Sequence, residues 1–352
     1  IGFEFTYKIR KQPKKSDIAI QPIVLKMTDS QRYLFANKLS ELGMEVYLLV
    51  INFGGLDLVE PRCAVISLER PWRGGIFPTI RAFIGFQNAL NKIQPTHLIL
   101  NCDLPELFGA LAATRAKIIG VAHIEIPFGN RKFLGWIVRL LLKIKRVIWV
   151  AVSTHLSIWP GQAIPNFVIE NPIQIESAIN SRVSGITNTA SRIYFIGRLT
   201  QQKRPDIAIE VALRTGLPLQ IFGTGELEML LKNSVARLDV HVKFLGFVPN
   251  PWENYNYGDI LVIPSAFEGD GLVVLEALAH GVPFLLSDIP DFRRFGLPEF
   301  TYCANVDEFV EKISHFETNF REFEIPIEIR NQILTERNID TISMKWIEVI
   351  SK

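Results

Sequence analysis

Residues 267–281 have the sequence FEGDGLVVLEALAHG. Seven residues separate Glu268 from Glu276, and the Gly-Asp-Gly turn between them leads into a run with helical character. Such a turn predicts free backbone N–H groups at the positive end of a helix dipole, which together suit a phosphate. Carboxylates repel phosphate, so the two glutamates are expected to bind another part of the ligand, such as sugar hydroxyls. A ligand that carries both a diphosphate and sugar hydroxyls is a sugar nucleotide.

Three other segments carry further motifs. They are residues 194–203, YFIGRLTQQK, residues 221–230, IFGTGELEML, and residues 242–264, VKFLGFVPNPWENYNYGDILVIP. Arg198 and Lys203 follow a short apolar run that predicts a strand, and ligands of open α/β sheets bind at the carboxyl ends of strands. Two cations there would neutralise a diphosphate, whereas the alternative is a pair of solvated surface charges. Four such motifs in one chain are far more specific than any one alone.

In this order, the four segments resemble the EX7E signature region of retaining glycosyltransferases with the GT-B fold, and glycosyltransferase family 4 in particular. The resemblance is strong over residues 194–288, moderate over 118–173 and weak before that. It implies an α/β protein with two Rossmann-like domains facing a central cleft. Alternating strand and helix patterns, which restart in the second half of the chain, independently favour two mostly parallel, doubly wound sheets.

The expected domain boundaries follow from these patterns. We expect a first, acceptor-side domain over residues 1–170 and a second, nucleotide-sugar-binding domain over residues 171–337. The resemblance implies that a final helix, about residues 338–352, packs back on the first domain. Alternating apolar and polar residues predict a strand at 1–9, and a basic loop follows it.

The resemblance implies a role for each residue that matches the family motifs. Glu268 would face the donor sugar and Glu276 would bind the donor ribose, while Arg198 and Lys203 would bind the diphosphate. His123, at the end of a predicted strand, would lie near the reacting centre, although a structural histidine is an equal alternative. The predicted catalytic residues are Glu268, His123, Arg198 and Lys203, and the predicted donor-binding residues are Arg198, Lys203, Gly223, Phe247, Gly269, Asp270, Gly271, Leu272, Val273 and Glu276.

Two features depart from the family pattern. Asp270 stands where an apolar residue is more common, and it would either select a particular sugar or cap the following helix. The loop after the first strand, residues 8–17, lacks the usual glycines. Its lysines, Lys11, Lys14 and Lys15, either contact an anionic acceptor or lipid head groups, or belong to a solvated loop.

Charge is distributed unevenly along the chain. Residues 1–168 hold 21 Lys and Arg against 11 Asp and Glu, whereas the remainder holds 17 against 25. The basic first half and acidic second half suggest different partners. Cys63, Cys102 and Cys303 share no metal-type spacing, and their number and scatter indicate reduced thiols in a cytoplasmic protein. No signal peptide is visible, and the chain begins with Ile1, so its natural start is expected to lie upstream.

Residues 131–146, RKFLGWIVRLLLKIKR, hold six basic residues and no acidic one. At helical spacing Lys132, Arg139, Lys143 and Arg146 are predicted to share one side, with Leu134, Ile137, Val138, Leu141 and Ile148 broadly opposite. A basic amphipathic helix of this kind can lie on an anionic membrane surface. The alternative is a core-packing helix with a solvated face.

The expected activity is transfer of a sugar, with retention, from a nucleotide sugar to a glycan or lipid-linked acceptor. A UDP-sugar is favoured and GDP-mannose is possible, and the acceptor would belong to bacterial cell-surface polysaccharide, lipopolysaccharide or glycoconjugate synthesis. We expect no cofactor, no nucleic-acid partner and, because no DxD motif or His/Cys ligand set is present, no metal. The alternatives are a catalytically silent subunit that binds a partner or glycan, and a phosphorylase or epimerase.

Overall fold

The structure is a computed structural model. It describes residues 29–52, 62–71, 75–101, 103–123, 128, 131–154, 156–159, 163–173, 191–256, 258–316 and 324–351. The chain divides into two compact units, one of residues 1–174 with 337–352 and one of residues 175–336. The predicted first strand and the basic loop 8–17 lie outside the described residues.

All strand pairs named in the first unit are parallel. β1 (Tyr47–Asn52) pairs with β2 (Ala64–Arg70). A four-stranded sheet has the order β3 (His97–Asn101), β4 (Lys117–Ala122), β5 (Ile148–Ala151) and β6 (Phe167–Val168). Helix α1 (Asp29–Glu41) precedes β1, and the helices between the strands are α2 (Ile76–Ile93), α3 (Asp103–Leu111) and α4 (Lys132–Ile144).

The second unit contains one six-stranded parallel sheet. Its strands are β7 (Arg192–Ile196), β8 (Leu219–Phe222), β9 (Val242–Gly246), β10 (Asp259–Ile263), β11 (Phe284–Ser287) and β12 (Tyr302–Cys303), in the spatial order β12-β11-β10-β7-β8-β9. Its helices are α5 (Pro205–Thr215), α6 (Glu228–Val235), α7 (Leu272–His280), α8 (Pro290–Arg293), α9 (Val306–Phe316) and α10 (Ile327–Glu336). The α/β class with parallel sheets, predicted from the alternating patterns, is confirmed.

A final helix, α11 (Ile339–Ser351), belongs to the first unit. Its Trp346 is buried against Phe35 of α1, with ring centroids 5.6 Å apart. Lys38 of α1 also pairs with Asp340 near the start of α11. These contacts attach the end of the chain to a helix near its beginning.

The first unit has one core on each face of its strands. Successive side chains of a strand point to opposite faces. On β1, Leu48 and Val50 join the core beneath α1 and α11, whereas Leu49 and Ile51 join the core beneath α2, α3 and α4. Helix α4 therefore packs on the side opposite α11.

The predicted placement of charge on α4 is wrong at Arg139. Its side chain is buried, and its Nε and Nη2 donate to the two carboxylate oxygens of Glu106 on α3, at 2.9 and 2.8 Å. The guanidinium also lies 4.3 Å from the ring centroid of Trp149. Ile137, predicted on the core side, is instead exposed. Glu106 neutralises the buried cation, a pairing that helical spacing within α4 could not indicate.

Candidate active site

The carboxyl ends of four adjacent strands in the second unit hold most of the predicted site residues. The loop after β7 carries Arg198 and Lys203, and Gly223 follows β8 directly. Phe247 follows β9, and Glu268 lies in the loop after β10. Because β10, β7, β8 and β9 are neighbours in a parallel sheet, these loops emerge at the same edge.

Glycine allows the loops after β7 and β8 to touch. A Cβ on Gly223 would lie 2.0 Å from the carbonyl oxygen of Gly197, and the φ of Gly223 is +136°. The Leu199 N–H donates to the Thr224 carbonyl at 3.0 Å, which joins the two loops through their backbones. The glycine turn thus fixes the loop on which Arg198 lies.

Arg198 is exposed at this edge. Its Nη2 donates to Oε1 of Gln202 at 3.3 Å. The side chain of Gln202 in turn donates from Nε2 to the backbone carbonyl of Phe267 at 3.1 Å. The backbone carbonyl of Gln202 accepts the N–H of Ala266 at 2.8 Å. Through Gln202 the loop after β7 is bonded to the loop after β10, and the arginine keeps donors for an anion.

Lys203 and Glu268 form an ion pair in which little of either side chain is exposed, 17% and 6% respectively. Ser265 donates from Oγ to the same carboxylate oxygen of Glu268 at 2.8 Å. The Glu268 N–H donates to Oδ2 of Asp291 at 2.9 Å. The predicted cation and the predicted sugar-facing carboxylate are thus in direct contact, although they lie 65 positions apart in the chain.

Asp270 pairs with an arginine that follows α8. Arg294 donates from Nη2 to Oδ1 of Asp270 at 2.7 Å, and only 3% of the Asp270 side chain is exposed. The Nε of Arg294 donates to the backbone carbonyl of Asp291. The carboxylate of Asp291 in turn accepts the Glu268 N–H. This ion pair is an arrangement that neither sequence-based alternative for Asp270 included.

Helix α7 begins at Leu272, directly after Gly271, which has a φ of +62°. The left-handed conformation suits glycine, and a Cβ would lie 3.2 Å from the rings of Phe292 and Phe295. The first backbone N–H groups of a helix, here those of Leu272 and Val273, have no partner inside the helix. The start of α7 can therefore donate to an anion at the same edge as Arg198.

Glu276 lies one turn inside α7 and is half-buried. Burial raises the pKa of its carboxyl to about 7, and the charge of Lys203 opposes that rise. The free protein therefore holds this carboxyl partly protonated at neutral pH. A ligand that donated hydrogen bonds to the carboxylate would stabilise its charged form.

Phe247 supplies an apolar surface at the same edge, since 63% of it is exposed although it is a large hydrophobic residue. It follows Gly246, whose φ of +68° turns the chain at the end of β9. An exposed aromatic ring can stack on a planar base.

In the first unit, His123 follows β4 and is bonded to the last residue of β3. The ring Nε2 of His123 lies 2.8 Å from Oδ1 of Asn101, which is fully buried. With Oδ1 as the acceptor, the histidine carries its proton on Nε2. Asn101 thus sets the orientation of the His123 ring.

The sequence did not identify four residues that position predicted site residues, one in the first unit and three in the second. Asn101, Ser265, Asp291 and Arg294 each contact a predicted site residue or its loop. Ser265 and Asn101 follow or end predicted strands, which is a weak signal. Asp291 and Arg294 lie 23 and 24 residues from their partners Glu268 and Asp270, beyond any local motif. In the described part of the chain, no three His, Cys, Asp or Glu side chains are grouped to hold a metal ion.

The second unit is similar to a known protein family. Residues 176–324 match the family model described as glycosyl transferases group 1. This part of the chain is therefore similar to a glycosyltransferase domain. The match covers nearly all of the unit that contains Arg198, Lys203, Glu268 and Glu276.

Individual relatives agree with this family. An uncharacterized glycosyltransferase of Methanocaldococcus jannaschii is 37% identical over 123 residues, which are 32% of this chain and 32% of the relative. The phosphatidyl-myo-inositol mannosyltransferase of Mycobacterium tuberculosis is 27% identical over 157 residues, 41% of each chain. The matched regions therefore span less than half the length of these relatives.

Solved structures share the whole fold. A crystal structure of Anabaena HepE in complex with UDP and glucose superimposes with a TM-score of 0.73 and 15% sequence identity. The similarity covers 92% of this chain and 95% of HepE. The predicted GT-B fold is confirmed.

Proposed function

We propose that this protein is a retaining glycosyltransferase of family 4 that transfers a sugar from a nucleotide-sugar donor to a glycan or lipid-linked acceptor. The observation that carries the proposal is the convergence, at one sheet edge, of Arg198, the Lys203–Glu268 pair and the start of α7. A diphosphate needs positive charge and backbone donors, and this edge offers both.

The cations act on the leaving group. Cleavage of the bond between sugar and diphosphate leaves negative charge on the diphosphate and positive character on the sugar ring. The negative charge on the diphosphate is stabilised by Arg198, Lys203 and the N–H groups of Leu272 and Val273. This stabilisation is greater in the transition state than in the ground state, and it therefore accelerates the step. These groups supply the positive charge that a metal supplies elsewhere, so EDTA should leave turnover unchanged.

Glu268 is proposed to bind hydroxyls of the donor sugar. Its bonds to Lys203, Ser265 and the neighbouring Asp291 fix the carboxylate before the donor arrives. Retention follows from the family resemblance, in which the acceptor attacks from the same face as the leaving diphosphate. His123, oriented by Asn101, is the proposed contribution of the first unit near the acceptor.

Glu276 and Phe247 are proposed to bind the nucleoside. The carboxylate of Glu276 would accept hydrogen bonds from the ribose, and the exposed ring of Phe247 would stack on the base. Gly269, Asp270 and Gly271 would shape the backbone around the phosphates, with Asp270 held away from solvent by Arg294. A uracil nucleotide is favoured because the structurally similar HepE was solved with UDP and glucose.

The acceptor is proposed to be a cell-surface glycan or a lipid-linked sugar, with the reaction on the cytoplasmic side of the membrane. One relative is named as a mannosyltransferase for phosphatidyl-myo-inositol, a lipid. The free thiols of Cys63 and Cys303 fit a reducing compartment.

Turnover of a panel of UDP- and GDP-sugars tests the proposal. The purified chain should release nucleoside diphosphate from at least one donor, with and without EDTA, and proton NMR of the product should show the donor's anomeric configuration kept. Inversion would remove the retaining mechanism. Nucleotide binding without turnover, with any acceptor supplied, would instead identify a non-catalytic subunit.

A further inference from the structure

Helix α4 presents an apolar stripe outward, which its sequence pattern did not predict. Phe133 is 76% exposed and Ile144 is 71% exposed. The rings of Phe133 and Trp136 stack, with centroids 6.5 Å apart. The exposed large apolar residues of α4 are Phe133, Trp136, Ile137, Leu140 and Ile144.

Helix α2 repeats this feature. It packs on the same core of the first unit as α4, and Phe77 is 86% exposed. Its exposed large apolar residues are Ile76, Phe77, Ile80 and Ile84. Isolated exposed apolar side chains are ordinary, but several of them along one helix, as on α2 and on α4, form an apolar surface that a partner can cover.

Charge around these side chains identifies the occupant. At about 3.6 residues per turn, the exposed Lys132 and Lys143 lie along one edge of the α4 stripe. Arg81 is exposed on α2. Neither α2 nor α4 contains an acidic residue, and the basic Arg139 within α4 is already neutralised by Glu106. The exposed charged residues within α2 and α4 are therefore all basic.

We propose that the α4 stripe inserts into the interface of an anionic lipid bilayer. A helix that joins a wide apolar face to lysines lies in the plane of the interface, with Trp and Phe at the level of the head groups. Lys132 and Lys143 then contact lipid phosphates. Insertion parallel to the surface is also the geometry that suits α4, since no described helix is long and apolar enough to cross a bilayer.

This mode of binding differs from purely electrostatic adsorption in its response to salt. Salt shortens the Debye length to about 3 Å at 1 M, which screens lysines on lipid phosphates but leaves apolar insertion in place. High salt should therefore weaken binding to anionic vesicles only in part. The inference does not depend on catalysis, because vesicle binding requires neither donor nor turnover.

Vesicle sedimentation with the full chain tests the proposal, using phosphatidylcholine with and without phosphatidylglycerol. Trp136→Ser and Phe133→Ser should each lower the affinity about tenfold, the loss expected when one large apolar side chain no longer leaves water. The double variant Lys132→Gln, Lys143→Gln should lose the preference for phosphatidylglycerol and keep residual binding. Met344→Ser, at an equally exposed residue on the opposite face of the unit, is the matched control and should bind as the unchanged chain does.

Two results would overturn the proposal. One is equal vesicle binding by Trp136→Ser and the unchanged chain. The other is a dimer in analytical ultracentrifugation that Trp136→Ser dissociates while the unchanged chain ignores vesicles, because the occupant would then be a second copy. Since all altered side chains are exposed, circular dichroism and thermal unfolding should show the variants folded.

Discussion

Glu276→Gln should stabilise the donor-free protein at alkaline pH while it weakens nucleotide binding. Burial raises the pKa of this carboxyl from 4.5 to about 7. Between these two values the folded state holds a proton that the unfolded state has lost, so the stability contributed by this group falls as pH rises and is lowest above pH 7. At about 1.36 kcal/mol per pKa unit, the loss is about 3 kcal/mol at most.

Glutamine has nearly the same shape as glutamate and no charge to desolvate. The free energy of unfolding of Glu276→Gln minus that of the unchanged protein should therefore increase by up to about 3 kcal/mol between pH 4.5 and pH 8. Other groups titrate alike in both proteins and cancel in this difference. The same substitution should weaken binding of a UDP-sugar above pH 7, because the amide accepts fewer hydrogen bonds from ribose.

Hydrogen exchange measured by mass spectrometry is the suitable assay. Peptides from β7 and β10 report the opening of the second unit by itself, which avoids a two-state assumption for a chain of two units. Calorimetry with a UDP-sugar then gives the affinity of the same samples. A stability difference that stays constant from pH 4.5 to pH 8, or unchanged affinity, would refute the assignment of Glu276 as a desolvated nucleotide-binding carboxylate.

Three further substitutions test other parts of the site. Arg198→Ala should lower turnover about 10²–10³-fold in a steady-state assay, while Arg214→Ala, an exposed arginine at the far end of α5, should change it little; equal activity of both variants would refute the diphosphate role. Gly223→Ala should lower the free energy of unfolding by about 3 kcal/mol or more, because its Cβ meets the Gly197 carbonyl, whereas Gly216→Ala, at a φ of +74° in open space, should cost about 1 kcal/mol by urea unfolding; similar costs would contradict the close contact of the loops. Asn101→Leu should shift His123 away from the Nε2–H tautomer in ¹⁵N NMR spectra and lower turnover about tenfold without changing nucleotide affinity; an unchanged tautomer would show that Asn101 does not orient the ring.

Local sequence patterns were sufficient to predict strands and the glycine turn of the second unit. The apolar runs at 219–222 and 260–263 form β8 and β10, because short apolar runs beside glycine-rich turns are typical of buried parallel strands. The Gly-Asp-Gly turn and the start of α7 were predicted from spacing within one segment. Such features depend on neighbours in the chain, which the sequence displays directly.

Pairings between distant segments could not be predicted in this way. Helical spacing predicted Arg139 on the basic side of α4, because spacing within one helix cannot indicate Glu106, 33 residues earlier. The contact of Lys203 with Glu268 spans 65 residues, and that of Asp270 with Arg294 depends on where α8 lies. In each case the burial of the charged side chain and the identity of its partner depend on the tertiary structure. These two features determine which charges face solvent.

A crystal structure of the protein with UDP tests the central claim most directly. We expect the diphosphate to contact Arg198, Lys203 and the N–H groups of Leu272 and Val273, and the ribose hydroxyls to donate to the Glu276 carboxylate at about 2.6–3.0 Å. UDP bound away from this edge, or bound with Glu276 out of hydrogen-bonding reach of the ribose, would contradict it.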